Sequence, residues 1–279
     1  MDLNLIKENE VGVKMLDILI NFIQQVIFTV GIIFVFGLLF SFCRKTFCRL
    51  LGNFGIFIIN YVTGWIGTPV HELSHAFFHV IFGHKVEKID LYSPNDGDDA
   101  LGYVMYRYNE KNLYQKIGLF FSGIGPLIGG SAVILFLMVI LTPDVYNNLT
   151  NELNAIINTS NSLEGYLDIF LTSVSIIFDP IYMESFWYWL FLILSLMIAS
   201  HMELSISDIV SAGKGLVVLL IILLLVDIIM YLVEPSVVTS ITNATIYFGS
   251  NLASILIIGA VFNVLLLFFA MVVRMIRRH

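Results

Sequence analysis

Residues 71–75 read His-Glu-Leu-Ser-His. Side chains four apart on a helix leave from one face, so His71 and His75 can reach one cation, with Glu72 beside them to handle a proton. Imidazole nitrogen suits Zn²⁺, and a catalytic zinc takes three protein ligands and keeps a fourth position open. The segment around these residues, 54–83, is long and apolar enough to cross a bilayer. A charge at bilayer depth costs roughly 2.5–3.5 kcal/mol on insertion scales, so ionisable groups there mark function. A polar cluster that merely packs helices is the competing reading, and it must account for three ionisable groups in five residues.

A third ligand is sought near the end of a later apolar segment, where Ala199-Ser-His-Met-Glu-Leu-Ser-Ile-Ser-Asp208 offers His201, Glu203 and Asp208. Asp208 and His201 are the geometric choices, and the three stay open on sequence alone. His79 continues the His71–His75 face, but position i+8 lies about 12 Å along the axis, too far for the same tetrahedral ion. It reads as a packing or supporting histidine, and His84 as interfacial. Asp227 reads as a buried structural acid. A Gly123-Ile-Gly-Pro-Leu-Ile-Gly-Gly130 run loosens its helix and allows close backbone approach to a neighbour.

These residues need a scaffold, and the composition says which kind. Of 279 residues 58% are hydrophobic and only 13% charged, against about 25% charged in a soluble domain. The chain reads as a multi-pass protein of the cell membrane, with the lipid bilayer as its solvent. A net charge of −7 and the lack of a long basic run argue against nucleic-acid binding. Cys43 and Cys48 are too few for a disulfide framework and read as free thiols. The N-terminus does not resemble a cleaved signal peptide, and its apolar run reads as a retained first span.

Hydropathy predicts an all-α polytopic fold of about six transmembrane helices, near 15–42, 54–83, 116–142, 185–202, 215–233 and 247–273. The second is longer than a crossing needs and is expected to tilt or kink near Gly64–Pro69. With a cytoplasmic N-terminus, eleven of the fourteen Lys and Arg fall inside, which predicts both termini in the cytoplasm. Arg44, Lys45 and Arg49 conflict with that count. Lys85–Tyr92 and Leu101–Tyr108 are β-favouring runs around the turn-rich Ser93-Pro-Asn-Asp-Gly-Asp-Asp99. They predict a small cytoplasmic β-hairpin between spans two and three, either docking substrate backbone or simply connecting. Residues 143–184 are expected to form a polar outer loop, with sequon-like Asn148 and Asn158 there and Asn243 in the last outer loop. Phe186-Trp-Tyr-Trp189 reads as an aromatic interfacial belt.

In this order the pieces resemble the site-2 protease class of intramembrane zinc metallopeptidases. The match covers roughly residues 60–215. It rests on the His-Glu-x-x-His helix ending in Gly83-His-Lys-Val86, the β-rich insertion, the Gly-Pro helix and a later helix carrying an Asp. The resemblance implies His71, His75 and Asp208 as Zn²⁺ ligands and Glu72 as general base. The family's Asn-Pro-x-Asp-Gly signature is absent, and Ser207-Asp208-Ile209 stands in its place. The implied organisation is an N-terminal span (1–53), a metallopeptidase core (54–215) and a C-terminal two-span segment (216–279). The implied activity is cleavage of a membrane protein or peptide substrate within or beside the bilayer. A membrane-anchored zincin of another family, using Glu203, and a non-catalytic scaffold or transporter are the alternatives. Oligomeric state is not legible.

Overall fold

The computed structural model describes residues 3–94, 101–159 and 163–277, with side chains from Lys14 onward and outside 157–166. It is mostly helical. In chain order it contains α1 (Leu3–Val26), α2 (Ile32–Leu51), α3 (Asn53–Phe57), α4 (Gly64–Ile81), β1 (Lys85–Asp90) and β2 (Tyr103–Arg107). There follow α5 (Leu113–Gly123), α6 (Gly125–Leu141), α7 (Pro143–Thr159), α8 (Leu163–Ile177), α9 (Phe186–Ala199), α10 (Ile206–Val233) and α11 (Pro235–Ile276). π-helical turns at Ile27–Gly31 and Ile58–Thr63 join α1 to α2 and α3 to α4. The change of winding expected near Gly64–Pro69 thus falls just before Gly64, and Pro69 lies within α4.

Among the described residues, three helices are long and apolar enough to cross a membrane: Lys14–Leu51, Ile206–Val233 and Pro235–Ile276. The α5–α6 pair, bent by 58°, makes a fourth if it is counted as one span. Apolar helices stand at all six expected places, yet two fall short of a full crossing. α4 has 18 residues and carries the His-Glu-x-x-His polar groups. α9 has 14 residues, about 21 Å of helix against a hydrocarbon core of about 30 Å.

Gly52, at φ +58, turns the chain back after α2. Contacts then rise together along α1–α2 and α11. Gln25 bonds Thr242 at 2.9 Å, Gly249 presses on the Phe28 carbonyl, Gly259 lies beside Phe40, and the Arg277 guanidinium covers the Phe54 ring at 4.5 Å. The two long helices therefore run parallel. Arg274 and Arg277 thus end toward the pole of the bundle that Arg44 and Arg49 reach. The basic segment that conflicted with the charge count shares its pole with the C-terminal arginines.

The expected outer loop 143–184 is also different, since α7 and α8 occupy most of it. Val145, Leu149 and Leu153 are buried at four-residue spacing in an otherwise Asn-rich helix, an amphipathic stripe. Asn148 sits within α7. In the aromatic run at the start of α9, Trp187 and Trp189 are exposed, but Tyr188 is buried and donates to the Ile177 carbonyl at 2.6 Å. The hairpin forms as β1 antiparallel to β2, Lys85 opposite Arg107 and Asp90 opposite Tyr103, with a bulge between Val86 and Lys88. Most of its expected turn, 95–99, lies outside the described residues.

Candidate metal centre

Four elements converge on the site. α4 supplies His71, Glu72 and His75, the α9–α10 connection supplies His201 and Glu203, α10 supplies Asp208, and β2 forms the facing wall. Their close approach depends on the glycine run between α5 and α6. A Cβ on Gly123 would lie 2.6 Å from the Asp208 carbonyl oxygen, and one on Gly125 would lie 3.0 Å from the Ser74 carbonyl oxygen. With side chains absent there, α5 presses on α10 and α6 presses on α4 directly beside the ligand positions.

The two histidines are held in one tautomer. His71 Nδ1 lies 2.6 Å from the His201 carbonyl, and His75 Nδ1 lies 2.6 Å from the Ser122 carbonyl. A carbonyl can only accept, so each Nδ1 carries the proton and each Nε2 presents a lone pair. Those two Nε2 atoms converge at 3.1 Å. Two nitrogens bound to one tetrahedral Zn²⁺ sit about 3.3 Å apart, given bonds of about 2.0–2.1 Å.

Asp208 completes the set, with Oδ1 3.4 Å from His75 Nε2 and Oδ2 3.9 Å from His71 Nε2. One ligand atom from each of the three residues lies within 4.8 Å of the others. Two imidazole lone pairs and a carboxylate facing a common point form a donor set that fits a borderline divalent cation. The local sequence explains the carboxylate's aim. Ser205 caps α10 by accepting from the Asp208 N–H at 3.2 Å, while Asp208 Oδ2 accepts from the Ser205 N–H at 2.8 Å and its hydroxyl at 2.6 Å. This reciprocal capping box holds one carboxylate oxygen at the helix start and turns the other toward His75.

The other candidate ligands are engaged elsewhere. The His201 ring is buried, with Nε2 3.0 Å from Thr63 Oγ1 and Nδ1 3.4 Å from Thr68 Oγ1. Its contribution is the carbonyl that fixes His71, which sequence reading missed because a backbone acceptor leaves no mark in side-chain spacing. Glu203 pairs with Arg44 at 2.5 Å. Burial pushes the Glu203 carboxyl up from its ordinary value, and Arg44 pulls it back.

His79 lies outside the ligand set, as its spacing implies. Its Nε2 is 3.3 Å from Ser122 Oγ and its Nδ1 2.7 Å from His84 Nδ1, while His84 Nε2 donates to the Gln115 carbonyl at 2.7 Å. Both rings are buried, and burial lowers the pKa of His84, against the opposing pull of its bond to Gln115. Ser122 therefore links His79, through its hydroxyl, to His75, through its carbonyl.

A cavity of about 450 Å³ opens over the ligands. Glu72 lies on its wall and is 7% exposed, with Gly102 packed against its side chain. Tyr103, Val104 and Tyr106 of β2 form the opposite wall. The hairpin is fastened there: the Tyr106 ring stacks on His79 at 3.6 Å, its hydroxyl meets Ser211 Oγ at 3.0 Å, and Tyr92 donates to the Asn60 carbonyl at 2.7 Å. Comparisons with protein-family models, with curated proteins and with solved structures found no match for this chain.

Proposed function

We propose that this chain is a zinc-dependent intramembrane endopeptidase of the site-2 protease type, with residues 54–215 as its core. The observation that carries the reading is the convergence of the His71 and His75 Nε2 lone pairs with the Asp208 carboxylate, beside a buried Glu72, in one cavity. Bound there, Zn²⁺ would supply Lewis acidity, polarising a peptide carbonyl and acidifying water. Glu72 accepts a proton from the attacking water and returns it to the departing amine as the C–N bond breaks. The β2 wall receives the substrate in extended form, since a helical segment keeps its peptide bonds in internal hydrogen bonds.

In this reading all six apolar segments are membrane-embedded in the cell membrane, the polar groups of α4 and the short α9 shaping a site that admits water from the cytoplasmic side. The alternative zincin arrangement would draw on Glu203, which Arg44 holds. The test is cleavage of a membrane-embedded peptide by the zinc-loaded protein in liposomes. Glu72→Gln should keep its zinc and lose activity by about 10²-fold or more. Wild-type cleavage by Glu72→Gln would overturn the reading.

A further inference from the structure

Far from the metal centre, α1, α10 and α11 enclose a second polar cluster. Gln25 and Asp227 are both 0% exposed, and Thr242 is 2% exposed. Gln25 Nε2 donates to Asp227 Oδ1 at 3.1 Å and to Thr242 Oγ1 at 2.9 Å, which uses both of its hydrogens. Two acceptors remain buried with no partner, Gln25 Oε1 and Asp227 Oδ2. Buried oxygens without donors are rare in folded proteins, and an unpaired carboxylate at membrane depth is more costly still.

Asp227 is also the anchor of its helix. Beyond Gly215, it is the single buried residue of α10 among those described. The facing stretch of α1 widens into the π-turn at Ile27–Gly31, against which Gly249 of α11 packs through the Phe28 carbonyl. π-turns recur at functional positions. No described cation pairs with Asp227. The other titratable groups on this part of the three helices are Lys14, Asp17, Tyr231, Glu234 and Tyr247, all exposed or half-exposed. Tyr231 donates to Asp17 at 3.2 Å and Ser236 donates to Glu234 at 2.6 Å.

We propose that Asp227 is an intramembrane proton-binding site: a proton on Oδ2 is donated to Gln25 Oε1, closing an acid–amide ring that fastens α1 to α10 and α11. One proton satisfies both orphaned oxygens. A metal ion would need further oxygen ligands, and among the described residues Thr242 is the one other side chain hydrogen-bonded to the pair.

Infrared spectroscopy of the full chain, carboxyl-labelled at Asp with ¹³C and reconstituted in lipid at neutral pH, tests this. The expected result is an isotope-shifted protonated-carboxyl band that Asp227→Asn removes. Asn restores both ring bonds without a proton, so its unfolding midpoint should stay within about 2 °C of wild type, while Asp227→Leu lowers it by at least about 4 °C. If Asp227→Asn does not fold, Gln25→Leu should move the band to the position of a carboxyl lacking its amide partner. Absence of a protonated-carboxyl band in wild type would overturn the proposal. So would a midpoint that rises with added Na⁺, K⁺ or Ca²⁺ in wild type but not in Asp227→Asn.

Discussion

Asp208 and Ser205 hold each other, the Ser205 hydroxyl accepting from the Asp208 N–H while Asp208 Oδ2 accepts from the Ser205 N–H and hydroxyl. The same carboxylate presents Oδ1 to His75 at 3.4 Å. One residue thus starts α10 and faces the two histidines, so under the proposed function the helix cap and the affinity for metal are tied together.

Ser205→Ala removes the hydroxyl half of that box. It should lower stability by about 1 kcal/mol and weaken zinc binding about 10–100-fold, the usual effect of losing a group that orients a ligand. Competition with a calibrated chelator measures the affinity. Unchanged affinity with reduced stability would confine the cap to a folding role.

Glu203→Gln separates the candidate third ligands. Glu203 is committed to Arg44, so the variant should keep its full zinc content, whereas Asp208→Ala should not. Elemental analysis of the two purified proteins decides between them, and zinc loss in Glu203→Gln would shift the ligand role to that residue.

Two glycines should respond differently to alanine. A Cβ on Gly67 would collide with the His201 ring and the Met197 carbonyl, displacing the connection whose carbonyl fixes His71. Gly67→Ala should cost about 1–3 kcal/mol and reduce zinc affinity as well. Gly52, at φ +58 with nothing within 4 Å of a new Cβ, should cost only about 1–2 kcal/mol and leave zinc unaffected. Thermal unfolding read alongside metal content checks both.

Val104 pairs with Ile89 in the hairpin and lies on the cavity wall. Val104→Pro should sharply reduce cleavage while sparing zinc content, because a proline removes a backbone donor and disturbs the strand. Unchanged cleavage would remove the substrate-docking role of β2.

The clustering at the candidate metal centre was legible where chemistry and periodicity coincide. Spacing alone puts His71 and His75 on one helix face with Glu72 beside them, whereas the Ser205 cap that aims Asp208 was not read from the sequence. The choice among Asp208, His201 and Glu203 was not legible, because it turns on long-range partners: Thr63 and Thr68 for His201, Arg44 for Glu203. Helix direction was not legible either. Charge counting treats segments as independent crossings, whereas the Gln25–Thr242 and Phe54–Arg277 contacts fix α11 parallel to α1–α2. α7 was missed because the polar Asn-rich composition masked the buried Val145, Leu149 and Leu153 stripe.

Acid should release the metal. Both Nε2 atoms must offer lone pairs and Asp208 must be an anion, so protonation competes with the cation. Zinc retention after equilibration should fall progressively as the solution is acidified, each proton on an Nε2 or on the carboxylate displacing the metal. Retention that does not change with pH would argue for a site without histidine ligands.

Joint binding of one metal ion by His71, His75 and Asp208 is read out by elemental analysis of purified wild type, His71→Ala and Asp208→Ala. The expected result is about one zinc per wild-type chain and its loss in both variants. Full zinc retention in both would contradict it.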